Sequence, residues 1–349
     1  MSRLARWVLG FIGGLIVVAC VLAIVLIVPG QPNNTRSLRF DGYVSLPRVK
    51  DAGLVSVLDH LTVSGDDLLV ASITSGAVYR IPLRPRPLPG SADVSVLESP
   101  PAAQAVVVDP ISHLAFVTRS GPNTVDVFDP RTMRLVRRIP VAADPDALVY
   151  DPSARLLYVG SAVAKLATLI DPAKQAAIAT IPLGGEPEFA VFDPTTGLIY
   201  QNLADTNSVI AVDVAKRSVV RRWLLKGCEM PTSLAIDDAD RRLFIACGKA
   251  SKLAVFDLDR RRVVATVPIG FGADSVAYDA QLRRIYVTGF TGLLSVISQD
   301  GPDTYRVADT IRLHLNAHTL TLDPATHRLF VGYSSLAIPP RVAMFTPNR

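Results

Sequence analysis

Seven polar residues recur at a near-constant interval along the chain: Asp59, Gln104, Asp146, Glu188, Thr232, Asp274 and His318. Each stands five positions ahead of a repeated aspartate, or of Ser64, which takes its place in the first copy. All seven are polar and four are acidic, so a fold that gathers them makes an acid-rich mouth. A carboxylate beside a histidine can also do acid–base work, and oxygen with imidazole can hold a divalent metal. Asp59, Asp274 and His318 are the residues for that chemistry, because their copies become neighbours if the repeats close into a ring, with His60 next in sequence. A solvent-filled opening calls for polar side chains in any case. The seven are therefore read as a ligand-binding mouth, with no catalytic residue, cofactor or metal assigned and a divalent metal kept as the alternative.

A second series lies four positions after the repeated aspartates: His113, Arg155, Gly197, Arg241, Arg283 and His327, with Arg242, Arg284 and Arg328 following three of them. This predicts a basic end opposite the acidic one. Signatures of familiar enzymes are missing: the chain has no Gly-x-Ser-x-Gly, no His-Glu-x-x-His, no phosphate-cradling glycine loop and no Cys-x-x-Cys-His. Its formal net charge of +5 comes from scattered pairs such as Arg137-Arg138 and Arg221-Arg222, without the stripe that nucleic-acid binding calls for. Cys228 and Cys247 flank one expected hairpin and are the pair for a disulfide in an oxidising compartment, two buried free thiols being the other reading.

The elements that must position these residues are short strands. An apolar strand, Asp, usually Pro, a turn and an apolar-aromatic strand recur, as in Leu148-Val149-Tyr150-Asp151-Pro152 through Tyr158-Val159. Successive aspartates Asp109, Asp151, Asp193, Asp237, Asp279 and Asp323 lie 42, 42, 44, 42 and 44 residues apart, and a divergent copy around Leu61 to Val70 brings the total to seven. Two further strand-like runs fill each interval. Four strands per ~42 residues is the period of a propeller blade, and one such sheet cannot bury its faces alone, so blades must stack. The fold class is all-β, a seven-bladed β-propeller with four-stranded blades. The last copy is one strand short, and residues 38–46 are expected to supply it and so close the ring.

The Asp-Pro, turn, Tyr-Val copies resemble the YVTN-repeat β-propeller family across roughly residues 40 to 345, with Tyr286-Val287-Thr288-Gly289 nearest its signature. Propellers of this kind include exported binding proteins, surface-layer proteins and relatives of lactonases and amine dehydrogenase heavy chains. The resemblance thus implies an exported propeller that binds a ligand or partner, or, as the alternative, a metal-assisted hydrolase of lactonase type.

The address is read from the start of the chain. Trp7 to Val28 is an uncharged apolar run long enough to cross a bilayer as a helix, and Arg3 and Arg6 ahead of it hold the short N-terminus in the cytoplasm. A cleaved signal peptide and lipidation of Cys20 in Val17-Val18-Ala19-Cys20 are the other processing routes, and all three put the bulk of the chain outside the cytoplasm. The expected layout is a cytoplasmic stub and signal anchor over 1–28, a linker over 29–37 and the propeller over 38–349. The expected partners are the membrane, through residues 7–28, and an unidentified protein or small molecule met on the periplasmic side.

Overall fold

The structure, a computed structural model, describes residues 32–49, 55–84, 90–98, 102–333, 335–336 and 340–348. The expected anchor at 7–28 and Cys20 lie outside these residues. Among the described residues no helix is long and apolar enough to cross a membrane.

Seven four-stranded antiparallel sheets follow one another along the chain. Blade 3 shows the pattern, with strands Pro145–Asp151, Leu156–Ser161, Leu166–Asp171 and Ala176–Pro182 laid side by side from the centre outwards. The first strands of successive blades touch in a closed circle, the first strand of blade 7, Thr319–Asp323, meeting that of blade 1, Leu58–Ser64. The disk therefore has a central channel.

The buried apolar residues divide into seven clusters, each shared by two adjacent blades. Tyr158 and Leu169 of blade 3 meet Ile199 and Ile210 of blade 4, for example. A second strand such as Leu156–Ser161 is buried on both faces because a neighbouring blade covers each one. An outermost strand such as Arg134–Pro140 is mostly exposed, and there Arg137 and Arg138 lie.

Ring closure follows the sequence expectation. Leu38–Ser45 pairs antiparallel with the C-terminal strand Arg341–Pro347 and completes blade 7 as its outer strand. Leu38 and Phe345 are fully buried there. A short pairing of Val55–Ser56 with Ser335–Leu336 also ties blade 7 to the chain entering blade 1, and nothing in the repeat foretold it.

The repeated aspartates turn out to be turn-makers. Asp151 accepts hydrogen bonds from the backbone N–H groups of Ser153 and Ala154, and Asp279 does the same for Gln281 and Leu282. Such side-chain-to-backbone bonds preset the hairpin between the first two strands. All six residues of the basic series, His113, Arg155, Gly197, Arg241, Arg283 and His327, have positive φ at the end of this turn.

Cys228 and Cys247 are joined in a disulfide with Cα atoms 4.9 Å apart. The hairpin of Pro231–Asp237 and Arg242–Cys247 sets Pro231 opposite Cys247, which brings the preceding loop and its Cys228 to the strand end.

Candidate functional site at the channel mouth

A bulge at the start of the first strand builds the mouth. Pairing with the second strand skips between Leu58 and Leu61, Ala103 and Val106, Pro145 and Leu148, Pro187 and Ala190, and Pro231 and Leu234. Two consecutive residues are left unpaired in each case, and a bulge of this kind re-aims its side chains. These are Asp59-His60, Gln104-Ala105, Asp146-Ala147, Glu188-Phe189 and Thr232-Ser233.

Carbonyls at the entry to the first strand are met from the neighbouring blade in three places. Thr118 donates to Asp146 O at 3.1 Å, Asn202 to Thr232 O at 3.0 Å and Thr288 to His318 O at 2.6 Å. All three donors occupy the same place in their second strands, Phe116-Val117-Thr118, Tyr200-Gln201-Asn202 and Tyr286-Val287-Thr288. Blade 3 has Gly160 there, where a Cβ would come within 3.1 Å of Ala147 Cβ. Gln201 from blade 4 instead donates to Glu188 O. At three junctions a second-strand side chain thus stitches the mouth residue's backbone to the next blade, while Gln201 holds the Glu188 backbone from within the same sheet.

Asp59, Asp146, Glu188 and Asp274 are only partly accessible and act on one another as like charges. Burial in the channel, reinforced by this repulsion, pushes the Asp146 carboxyl up to about 7 and that of Glu188 to about 8. Burial alone brings Asp274 to about 7, while burial and three neighbouring carboxylates hold Asp59 well above the usual range.

The other predicted residues take different positions. Gln104 is partly exposed, whereas Thr232 is buried and its hydroxyl donates to Ala273 O at 2.9 Å. Thr232 is thus a stitch between blades. His318 is 2% exposed, with Nδ1 2.9 Å from Asn316 O. A carbonyl can only accept, so Nδ1 carries the proton and Nε2 of the neutral ring keeps a lone pair. Nε2 lies 4.0 Å from Asp274 Oδ2, too far for a hydrogen bond, and burial lowers the pKa of the ring. Among the described residues no group of three or more His, Cys, Asp or Glu is arranged to hold a metal ion, Asp59, Asp274 and His318 included.

Side chains outside the polar series also reach the mouth. His60, pushed down to about 4 by burial, lies across the channel from Phe189 with ring centroids 5.8 Å apart, and both line a small pocket with Asp59 and Asp146. Phe290 stacks on His318 at 4.5 Å. The bulge explains why a two-residue alternation misses Phe189: the position after the polar one also turns inward.

The opposite end is less basic than its sequence implies. Arg241 grips Asp193 of the preceding blade through two 2.9 Å hydrogen bonds, Arg283 meets Asp240 at 2.6 Å, and His327 meets Asp279 at 2.8 Å. Burial pushes the Asp193 carboxyl up, but the hydrogen bonds from Arg241 and Thr196 outweigh it and leave the group lowered. Much of the basic series is therefore spent joining blades.

Fold and site together define a seven-bladed β-propeller with an acidic, partly enclosed mouth. No family model matches the chain, and no curated protein does. Among solved structures, a chain of Kuenenia stuttgartiensis hydrazine synthase is similar at 14% identity, with a TM-score of 0.69 over 83% of this chain and 96% of that one. In all, 1617 solved chains match, a breadth that identifies the architecture and leaves activity to the site.

Proposed function

We propose that the chain is a membrane-anchored, extracytoplasmic propeller of the YVTN-repeat kind that binds a ligand or protein partner at its acidic mouth. The observation that carries this reading is the set of Asp59, Asp146, Glu188 and Asp274, partly enclosed at one mouth and acting on one another as like charges. Carboxyl groups held in this way favour whatever brings positive charge or hydrogen-bond donors to them. The Cys228–Cys247 disulfide supports an address outside the reducing cytoplasm.

The test uses the full chain in detergent and its Glu188→Gln, Asp274→Asn variant, each immobilised and exposed to solubilised membranes and to the soluble extracytoplasmic fraction. Proteins and small molecules retained by the parent and released by the variant are expected. Equal retention by both would remove the mouth as the binding place.

A further inference from the structure

The mouth face carries apolar side chains that the fold leaves uncovered. Phe271, Phe290 and Leu315 are 59%, 50% and 45% exposed. They stand on adjoining loops of blades 6 and 7: Thr291 donates to Phe271 O, and Asn316 N–H donates to Phe290 O. Phe290 also stacks on His318, whose Nε2 lone pair faces Asp274 without a hydrogen bond. An uncovered aromatic and aliphatic patch thus borders a set of mutually repelling carboxyl groups. A free metal or a small polyamine would use the carboxylates and leave the patch in water. A protein segment satisfies both, with a basic side chain reaching into the mouth and apolar neighbours lying on the patch.

Resting on the reading of the mouth as the binding place, we infer that the occupant is a segment of another protein presenting one lysine or arginine flanked by apolar residues. The basic side chain enters among Asp59, Asp146, Glu188 and Asp274. Its apolar neighbours cover Phe271, Phe290 and Leu315. Complementary charge fixes the register of such a segment, while the aromatic contacts supply the affinity.

The experiment selects a phage-displayed library of random short peptides against the full chain in nanodiscs. Three variants run in parallel: Glu188→Gln with Asp274→Asn, Phe290→Ser with Leu315→Ser, and Val307→Ser as an exposed apolar control on the outer strand of blade 6. Melting curves of each variant report whether the fold is kept. The expected result is enrichment of Lys or Arg between apolar residues, with binding of the selected peptide weakened about tenfold or more by each double variant and unchanged in the control. Enrichment without a basic position, or binding indifferent to Phe290 and Leu315, overturns the inference. Spermidine binding to the parent and not to the acidic double variant, with no peptide selected, overturns it too and leaves the mouth reading standing. Failure of both probes defeats both. Self-association of the chain that Phe290→Ser abolishes would instead assign the patch to a second copy.

Discussion

Glu188 brings its carboxyl into a channel already holding Asp59, Asp146 and Asp274, and the cost of ionising them together has a pH signature. Between pH ~4 and ~8 the folded chain holds protons at Asp146, Glu188 and Asp274 that the unfolded chain has released. Their contribution to stability is therefore full below the unfolded pKa and is lost as pH rises through the folded values of about 7 and about 8. His60, held near about 4, works in the opposite sense, its contribution falling as pH drops from ~6.5 to ~4. Above ~6.5 the His60 imidazole is largely neutral in both states, and its contribution no longer changes with pH. The melting temperature of the parent should fall between pH ~6.5 and ~8. The Glu188→Gln, Asp274→Asn variant should flatten that decline and melt higher at pH ~8, by about 2 °C for each kcal/mol of repulsion relieved. Scanning calorimetry across that range is the measurement, and a parent curve that is flat or rising would contradict the enclosed, mutually repelling carboxyls.

At the scale of the element, blades are joined by more than apolar contact. The repeated aspartate of blade 4, Asp193, serves twice, taking the turn's N–H from Thr195 and the guanidinium of Arg241 from blade 5. Asp193 is fully buried, so Arg241→Ala strands its charge and is expected to destabilise the chain by about 3 kcal/mol. Arg241→Lys should fall between parent and Ala, because an ammonium offers a point charge where the guanidinium offers a fork. Urea denaturation of the three proteins gives the order, and an Ala variant as stable as the parent would show the pair to be dispensable. Where a junction lacks such a residue other contacts serve: Gly197 stands at the equivalent place in blade 4 and leaves Asp151 to its turn, and Lys165 of blade 3 meets Asp205 of blade 4 at 2.7 Å instead.

At the scale of the whole molecule, stability depends on a strand from the far end of the chain. Leu38–Ser45 covers the edge of Arg341–Pro347 and buries Leu38 between blades 6 and 7. Deleting residues 36–47 opens blade 7 and uncovers parts of two interblade clusters, so the melting temperature should drop by about 10 °C or more, with loss of a single cooperative transition. An unchanged transition would mean that the ring holds without this strand. The period of the aspartates, the strand-forming runs around them and the missing last strand were enough to read seven blades and their closure from the chain alone, because each repeat is a local unit whose turn is dictated by its own aspartate. The acidic series was legible for the same reason: a fixed offset within a repeat becomes a fixed place in the ring. What tertiary structure decided was the use made of each position. The bulge turned Phe189 inward beside Glu188, interblade hydrogen bonding took Thr232 out of the mouth, and salt bridges drew Arg241 and His327 away from solvent. The last two outcomes depend on contacts between adjacent blades some 40 residues apart in sequence, a separation set by the repeat itself. A pattern within one repeat carries no information about the side chain that a neighbouring blade presents to it.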